Sequence, residues 1–299
     1  MVVVVILVAV SIVWSQRFTD RTIVINPLLD TTAACPSGQW NWMASSIGWG
    51  EFGSYLEGDA EHAWIQRLGA AIELVRIGSH TSVAFTSDIE FIANPDNNIR
   101  FNPRAVFWQE GFLVTFRNSN GYWQIGYYHR CKHDVDNLTI GRERALIYGS
   151  VLAKYLWPLT LERWEGVGVL RADVFTIRQD DRTPPTDDGN FPHHKRMTAT
   201  VGASFHARRA LTDLLGIYLA SWLQATAYGT TMSTYPTFDG IRTATLNGGI
   251  TAGIAITGQS HFRIGLTWEY LADTGVNPQP EHSHLVSLTV SIVNPRAIW

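Results

Sequence analysis

Apolar and polar residues alternate one by one through segment after segment of this chain. A period of two is the signature of a strand whose two faces meet different surroundings. In 261–270, HFRIGLTWEY, one face carries Phe262, Ile264, Leu266, Trp268 and Tyr270, and the other His261, Arg263, Gly265, Thr267 and Glu269. In 242–257, Ala244, Leu246, Ile250, Ala252, Ile254 and Ile256 oppose a face of Thr, Asn and Gly. Val286, Leu288, Val290 and Ile292 repeat the theme in 285–293. The pattern predicts strands near 37–48, 60–76, 81–93, 103–117, 122–132, 140–157, 163–178, 194–208, 212–227, 240–257, 260–272 and 283–293.

A soluble sandwich also alternates, so the period alone does not choose a fold. Length helps: many of these runs reach ten residues, whereas soluble strands average about five or six. Aromatic residues gather towards the ends of the apolar faces, as an interfacial girdle requires. Connections alternate between tight turns (GSHT, RNSNG, RALTD, TGQS) and long polar loops such as QDDRTPPTDDGNFPHH and GTTMSTYPTFDG. Short periplasmic turns and longer external loops are the habit of a transmembrane barrel, the one sheet form that leaves no bare edge in hydrocarbon. The expected fold class is therefore all-β: a closed antiparallel transmembrane β-barrel of about twelve strands, in the outer membrane of a Gram-negative-type bacterium. The terminal Trp299 resembles the assembly signal of bacterial outer-membrane proteins, which implies the barrel-assembly machinery as a partner.

The first sixteen residues, MVVVVILVAVSIVWSQ, are too short to span a bilayer with margin and read as the apolar core of a secretory signal. The expected division is a signal over 1–15, a periplasmic lead-in over 16–36 and the barrel over 37–299. A net charge of -3 and a pI near 6.4 give no reason to expect a polyanionic partner, and no nucleic-acid motif or phosphate loop is present. Arg76, Glu90, Arg142, Arg144, Lys154, Arg171, Asp173, Arg263 and Glu269 fall on polar faces and read as lumen residues. Both signs are represented, which suits a salt-bridged interior better than an ion-selective pore.

One stretch carries candidate chemistry. Residues 123–137, WQIGYYHRCKHDVDN, crowd His129, Cys131, His133, Asp134 and Asp136 onto the end of an aromatic strand. Alternation puts Trp123, Ile125, Tyr127, His129, Cys131 and His133 on the outward face, with the last three near the outer leaflet. If the RNSNG turn pairs Arg117 with Tyr122, Glu110 falls opposite His129. A symmetric register across KHDVDNLTIG sets Glu143 opposite His129 and Gly141 opposite Cys131. A thiolate nucleophile, an imidazole base and a carboxylate to hold the base form a consistent catalytic set. Cys131 would be nucleophile, His129 base and Glu143 orienter, with Glu110 as an alternative orienter. His133, Asp134 and Asp136 are candidate ligands of a divalent cation, Ca2+ being the one that suits the aspartates.

This arrangement resembles the outer-membrane acyl hydrolases, outer-membrane phospholipase A and the lipid A 3-O-deacylase. Those barrels carry a lipid-facing H-x-S and an Asn or Glu twelve residues after the serine; His129, Cys131 and Glu143 keep those offsets. Cysteine replaces serine, and Lys132-His133 stands where the phospholipase has Asn-Gly. HRCKHDVDN also resembles the H-x-S-S-H-x-G-D-E stretch of an uncharacterised outer-membrane family. The resemblance implies outer-leaflet lipid as the partner and acyl-ester hydrolysis as the activity. The alternative is a non-enzymatic barrel, either a small-solute channel or a structural or adhesive scaffold, in which His129 belongs to an interfacial belt. The second cysteine, Cys35, precedes the first strand, so a bridge to Cys131 would have to cross the membrane and is excluded by geometry.

Overall fold

The computed structural model describes residues 23–94, 103–134, 145–180, 197–228, 244–276, 282–294 and 298. Twelve antiparallel strands among them close into one barrel: β1 (Trp40–Glu57), β2 (Trp64–Ile77), β3 (Thr81–Ala93), β4 (Ala105–Arg117), β5 (Tyr122–Asp134), β6 (Leu146–Leu161), β7 (Trp164–Asp180), β8 (Met197–Ala210), β9 (Leu215–Tyr228), β10 (Ala244–Thr257), β11 (His261–Leu271) and β12 (Ser283–Val293). Each strand pairs with its sequence neighbour, and β1 pairs with β12 to complete the ring. No helix among the described residues is long and apolar enough to cross a membrane.

The outward faces are those the alternation assigned. Ile250, Ile254, Leu266, Trp268, Leu288 and Ile292 are exposed, while Thr251, Thr267, Glu269, Thr289 and Ser291 are buried in the lumen. Aromatic rings form belts on the exterior. At the level of the tight turns, Trp123, Tyr155 and Trp157 follow one another at centroid separations of 4.9 and 6.1 Å. At the opposite rim, His284 lies 6.2 Å from Trp268 and 4.9 Å from Tyr270.

Two strands run four residues or more past their expected ends. β1 continues through the glycine-rich Gly48–Gly53 to Glu57, because pairing with β2 on one side and β12 on the other supplies what local propensity lacks. Its Trp49 turns inward, donates to Asp88 at 2.8 Å and spreads its ring over Gly69, where no side chain would fit. β6 runs through Pro158 to Leu161 before a turn at Glu162 and Arg163, with Glu162 at φ 52.

The lumen has two unlike halves. On the tight-turn side the lead-in enters the barrel. Arg76 donates to the carbonyls of Pro27 and Asp30 at 2.6 and 3.2 Å and pairs with Glu73. Gln124 donates to the Ile25 carbonyl at 2.8 Å, and Leu28 packs among Tyr122, Leu156, Val167 and Val169. Residues 23–33 thus sit inside the wall, and Ile25 bridges to Ile298. Beside them lies a cavity of about 510 Å³, bounded by Leu29, Arg208, Tyr218, Arg263 and Thr267. Arg67–Asp88 and Arg130–Glu90 cross the lumen wall at 3.0 and 3.7 Å. Arg76, Glu90, Lys154, Arg171, Asp173, Arg263 and Glu269 all line the interior, whereas Arg142, Arg144 and Trp299 lie outside the described residues.

On the long-loop side apolar clusters lie among the buried charges Glu90, Arg130, Lys132 and Glu269. Ile65, Ile92, Phe107 and Val276 form one buried cluster, Leu146, Tyr148, Phe175, Met197 and Tyr228 a second, and Trp222, Leu271 and Leu285 a third. The β1–β2 loop is clasped to this rim. Asp59 accepts from Ser283 and meets His62 Nδ1 at 2.6 Å, while Arg104 reaches Glu61 at 2.9 Å. Ser283 bonds to the carboxylate and not to the imidazole, so this serine, histidine and aspartate form a clasp and not a nucleophilic triad.

Two expectations follow. Arg76→Ala strips a buried carboxylate of its cation, a change that costs about 3–5 kcal/mol; denaturant unfolding in detergent should show that loss, and protease should cut the lead-in. Burial raises the Asp59 pKa, but the His62 imidazole and the Ser283 hydroxyl outweigh it and hold the carboxyl down at about 2. A depressed acid stabilises the fold above its ordinary value near 3.8 and loses that contribution as pH falls through about 2. Amides of 58–63 should therefore stay protected from hydrogen exchange down to pH 4 and open towards pH 2; Asp59→Asn should remove that pH dependence.

Candidate functional site

β5 presents its odd-numbered residues to the outside. Trp123 and Ile125 are exposed, Tyr127, His129 and Cys131 are half-buried and His133 is exposed, while Gln124, Tyr128, Arg130 and Lys132 are buried in the lumen. The inward set is anchored: Arg130 faces Glu90 and lies 4.8 Å over the Phe107 ring. At about 3.3 Å per residue and a tilt near 45°, His129 stands roughly 16 Å and Cys131 roughly 21 Å above Tyr122, within an apolar band about 25 Å tall. Outward-facing Trp108, 46% exposed, pairs with Cys131 and marks the same level.

The β4–β5 register follows the tight turn at 118–121. Arg117 pairs with Tyr122, so Glu110 pairs with His129, as the sequence led us to expect. Directly opposed residues hold their Cβ atoms about 4.5–5.5 Å apart. Glu110 is also half-buried and outward, the one carboxylate on a face of Trp108, Phe112 and Val114.

The β5–β6 register differs from expectation. His129 pairs with Gly149 and Cys131 with Ile147, six residues further on than Glu143 and Gly141. The symmetric register assumed that the strands resume soon after the loop, but β6 begins only at Leu146 and is set from its other end by the turn at Glu162. Six is even, so the faces survive the slip while the partners change. Glu143 itself lies outside the described residues; the position opposite His129 is Gly149.

Within this outward cluster, no hydrogen bond among the described residues joins Cys131 to His129, and no ion pair joins His129 to Glu110. Cys131 and Cys35 are both free thiols. Cys35 sits at the tight-turn end, donating to the Gln39 carbonyl at 3.2 Å, in keeping with its separation from Cys131. Of the candidate cation ligands, His133 is exposed on the exterior, Asp134 ends β5 and Asp136 lies outside the described residues. No group of three metal-binding side chains occurs among the described residues.

Sequence reasoning did not single out Tyr127 for chemistry. Its hydroxyl lies over Gly149, in the place a side chain would occupy, 3.4 Å from the Thr176 hydroxyl of β7. Only the true β5–β6 register brings this group beside His129, so no local pattern could have signalled it.

Solved structures share this architecture. An outer membrane phospholipase from Salmonella typhi, determined as a dimer with bound calcium, superposes with a TM-score of 0.50 at 9% identity, covering 91% of this chain and 100% of that one. LpxR from Salmonella typhimurium gives 0.46 at 7% identity over 84% and 99% of the two chains. An outer membrane channel from Pseudomonas putida F1 gives 0.44 at 14% identity over 90% and 98%. No family model matches the chain, and no curated protein does. The closed ring and its apolar exterior, with the fold shared with the Salmonella typhi structure, identify the class. The chain is a bacterial outer-membrane β-barrel.

The exterior placement of the site is open to direct measurement. With Cys35→Ser as background, a spin label on Cys131 in a reconstituted bilayer should collide with dissolved oxygen in preference to a water-soluble nickel complex. A label on Lys132→Cys should show no such oxygen preference. Preference for nickel at Cys131 would put it in water.

Proposed function

We propose that this barrel hydrolyses acyl esters of outer-leaflet lipid, with Cys131 as nucleophile, His129 as base and Glu110 as the carboxylate that orients the base. One observation carries the reading. A thiol, an imidazole and a carboxylate share a lipid-facing patch, with Glu110 paired to His129 across β4 and β5. Glu110 takes the role for which the sequence spacing offered Glu143. His284 supplies the contrast, since it is an outward histidine held against Trp268 and Tyr270, as a belt histidine should be. Among the described residues His129 has no such ring contact.

The chemistry balances as follows. The Cys131 thiol gives its proton to the imidazole, and the sulfur attacks the ester carbonyl. The carbonyl–oxygen bond to the glycerol or sugar hydroxyl breaks, and the leaving alkoxide takes the proton back from His129. Water then attacks the thioester while His129 accepts its proton; the carbon–sulfur bond breaks, the thiolate is reprotonated and the fatty acid departs. Cys131 and His129 lie two positions apart on one face, about 6.6 Å along the strand. Rotation about their side-chain bonds spans that gap, and catalytic hydrogen bonds of this kind tighten when substrate docks. Trp108 and Ile147, paired with Cys131 on either side, give an acyl chain apolar walls. The calcium of the Salmonella typhi phospholipase makes a divalent cation worth including in the assay, with His133, Asp134 and Asp136 as the ligands the sequence offers.

A second reading, a non-enzymatic scaffold, draws on the distance between thiol and imidazole. Fatty-acid release from phospholipid and lipopolysaccharide mixed micelles, with and without calcium, separates the two. Cys131→Ala should abolish release, His129→Ala should lower it about 10²–10⁴-fold, and Glu110→Gln should lower it less. Release that is the same in Cys131→Ala as in the wild type would leave the scaffold.

A further inference from the structure

We propose that the Tyr127 hydroxyl is the hydrogen-bond donor that stabilises the oxyanion formed when Cys131 attacks an ester; this rests on the hydrolase reading above. Tyr127 shares the outward face with His129 and Cys131, yet its ring does not stand over Val151, the residue it pairs with. It leans along the wall so that its hydroxyl fills the space above Gly149. Gly149 is the direct partner of His129 and the diagonal neighbour of Cys131. Direct and diagonal neighbours stand about 4.5–5.5 and 7–8 Å apart. The hydroxyl therefore lies on the β6 side of thiol and imidazole, while Glu110 lies on the β4 side.

That position suits an oxyanion. A carbonyl carbon bonded to the Cys131 sulfur, with its oxygen turned towards β6, points that oxygen at the phenol, and a hydrogen bond between the two would be about 2.7 Å long. The phenol is also held in place. Thr176, the extra residue where β7 bulges opposite Gly149 and Ser150, gives its one hydroxyl proton to the Gly149 carbonyl at 3.2 Å, which leaves its oxygen 3.4 Å from the Tyr127 hydroxyl and able to accept from it. The phenol proton thus rests in a long bond to Thr176, and an oxyanion developing beside Cys131 is the stronger acceptor to draw it away. A donor fixed beside a nucleophile in low-dielectric surroundings meets the requirement for stabilising charge that appears only in the transition state. A purely structural account gives the ring a different duty, covering the glycine, which needs the ring and not its oxygen.

Tyr127→Phe separates the two, because it keeps the cover and removes the donor. With the full-length barrel in phospholipid mixed micelles, kcat should fall about 10²-fold with KM within twofold of the wild type. The thermal unfolding midpoint should not move. Wild-type kcat in Tyr127→Phe, while Cys131→Ala is inactive, overturns the proposal and leaves the hydrolase reading standing. So does a rise in KM at constant kcat, which would assign the hydroxyl to lipid binding, or a fall in the unfolding midpoint, which would assign it to packing. Wild-type release no greater than that of Cys131→Ala overturns the hydrolase reading and this proposal with it.

Discussion

Hydrocarbon accepts no hydrogen bonds, and that one fact governs this molecule. An unpaired N–H or C=O in the bilayer core costs several kcal/mol, so a sheet that enters it must close on itself. Here closure is the pairing of β1 with β12, Trp49 against Val293 through Glu57 against Val286. A closed wall has an inside and an outside, and every residue belongs to one or the other by its parity. The buried Arg67–Asp88 pair and the exposed Leu288 and Ile292 are two results of the same constraint. The outward thiol of Cys131 and the inward guanidinium of Arg130 are adjacent in sequence and see entirely different solvents.

Parity was also what made the fold legible. Alternation in 261–270 and 285–293 needs no partner to be read, because each residue carries its own preference for oil or water. The same reading fails where that preference is weak. Gly48, Gly50 and Gly53 have no side chains to declare a face, and the strand expected over 37–48 runs on through them to Glu57; likewise the strand expected to end near 157 runs through Pro158 to Leu161. The seat of the lead-in inside the wall was illegible for another reason. Its Pro27 and Asp30 carbonyls are satisfied by Arg76, forty-six or more positions away, and nothing within 23–33 announces that contact.

For the candidate site the division is sharper. Which residues face lipid, and that Glu110 meets His129, could be read because the 118–121 turn is too tight to allow slippage. What meets His129 from β6 could not, since the intervening loop is long and its register is set at the far end of the hairpin. Gly149 replaced Glu143 in that position, and with Gly149 came Tyr127 and Thr176. Offsets along one strand are a property of the sequence; neighbours across strands belong to the barrel.

The apolar clusters in the long-loop half of the lumen, from Phe107 and Tyr148 to Leu271 and Val276, have a consequence for traffic. A solute at that level would leave its water behind, and its polar groups would have to pair with Glu90, Arg130, Lys132 or Glu269, set among those clusters, to replace it.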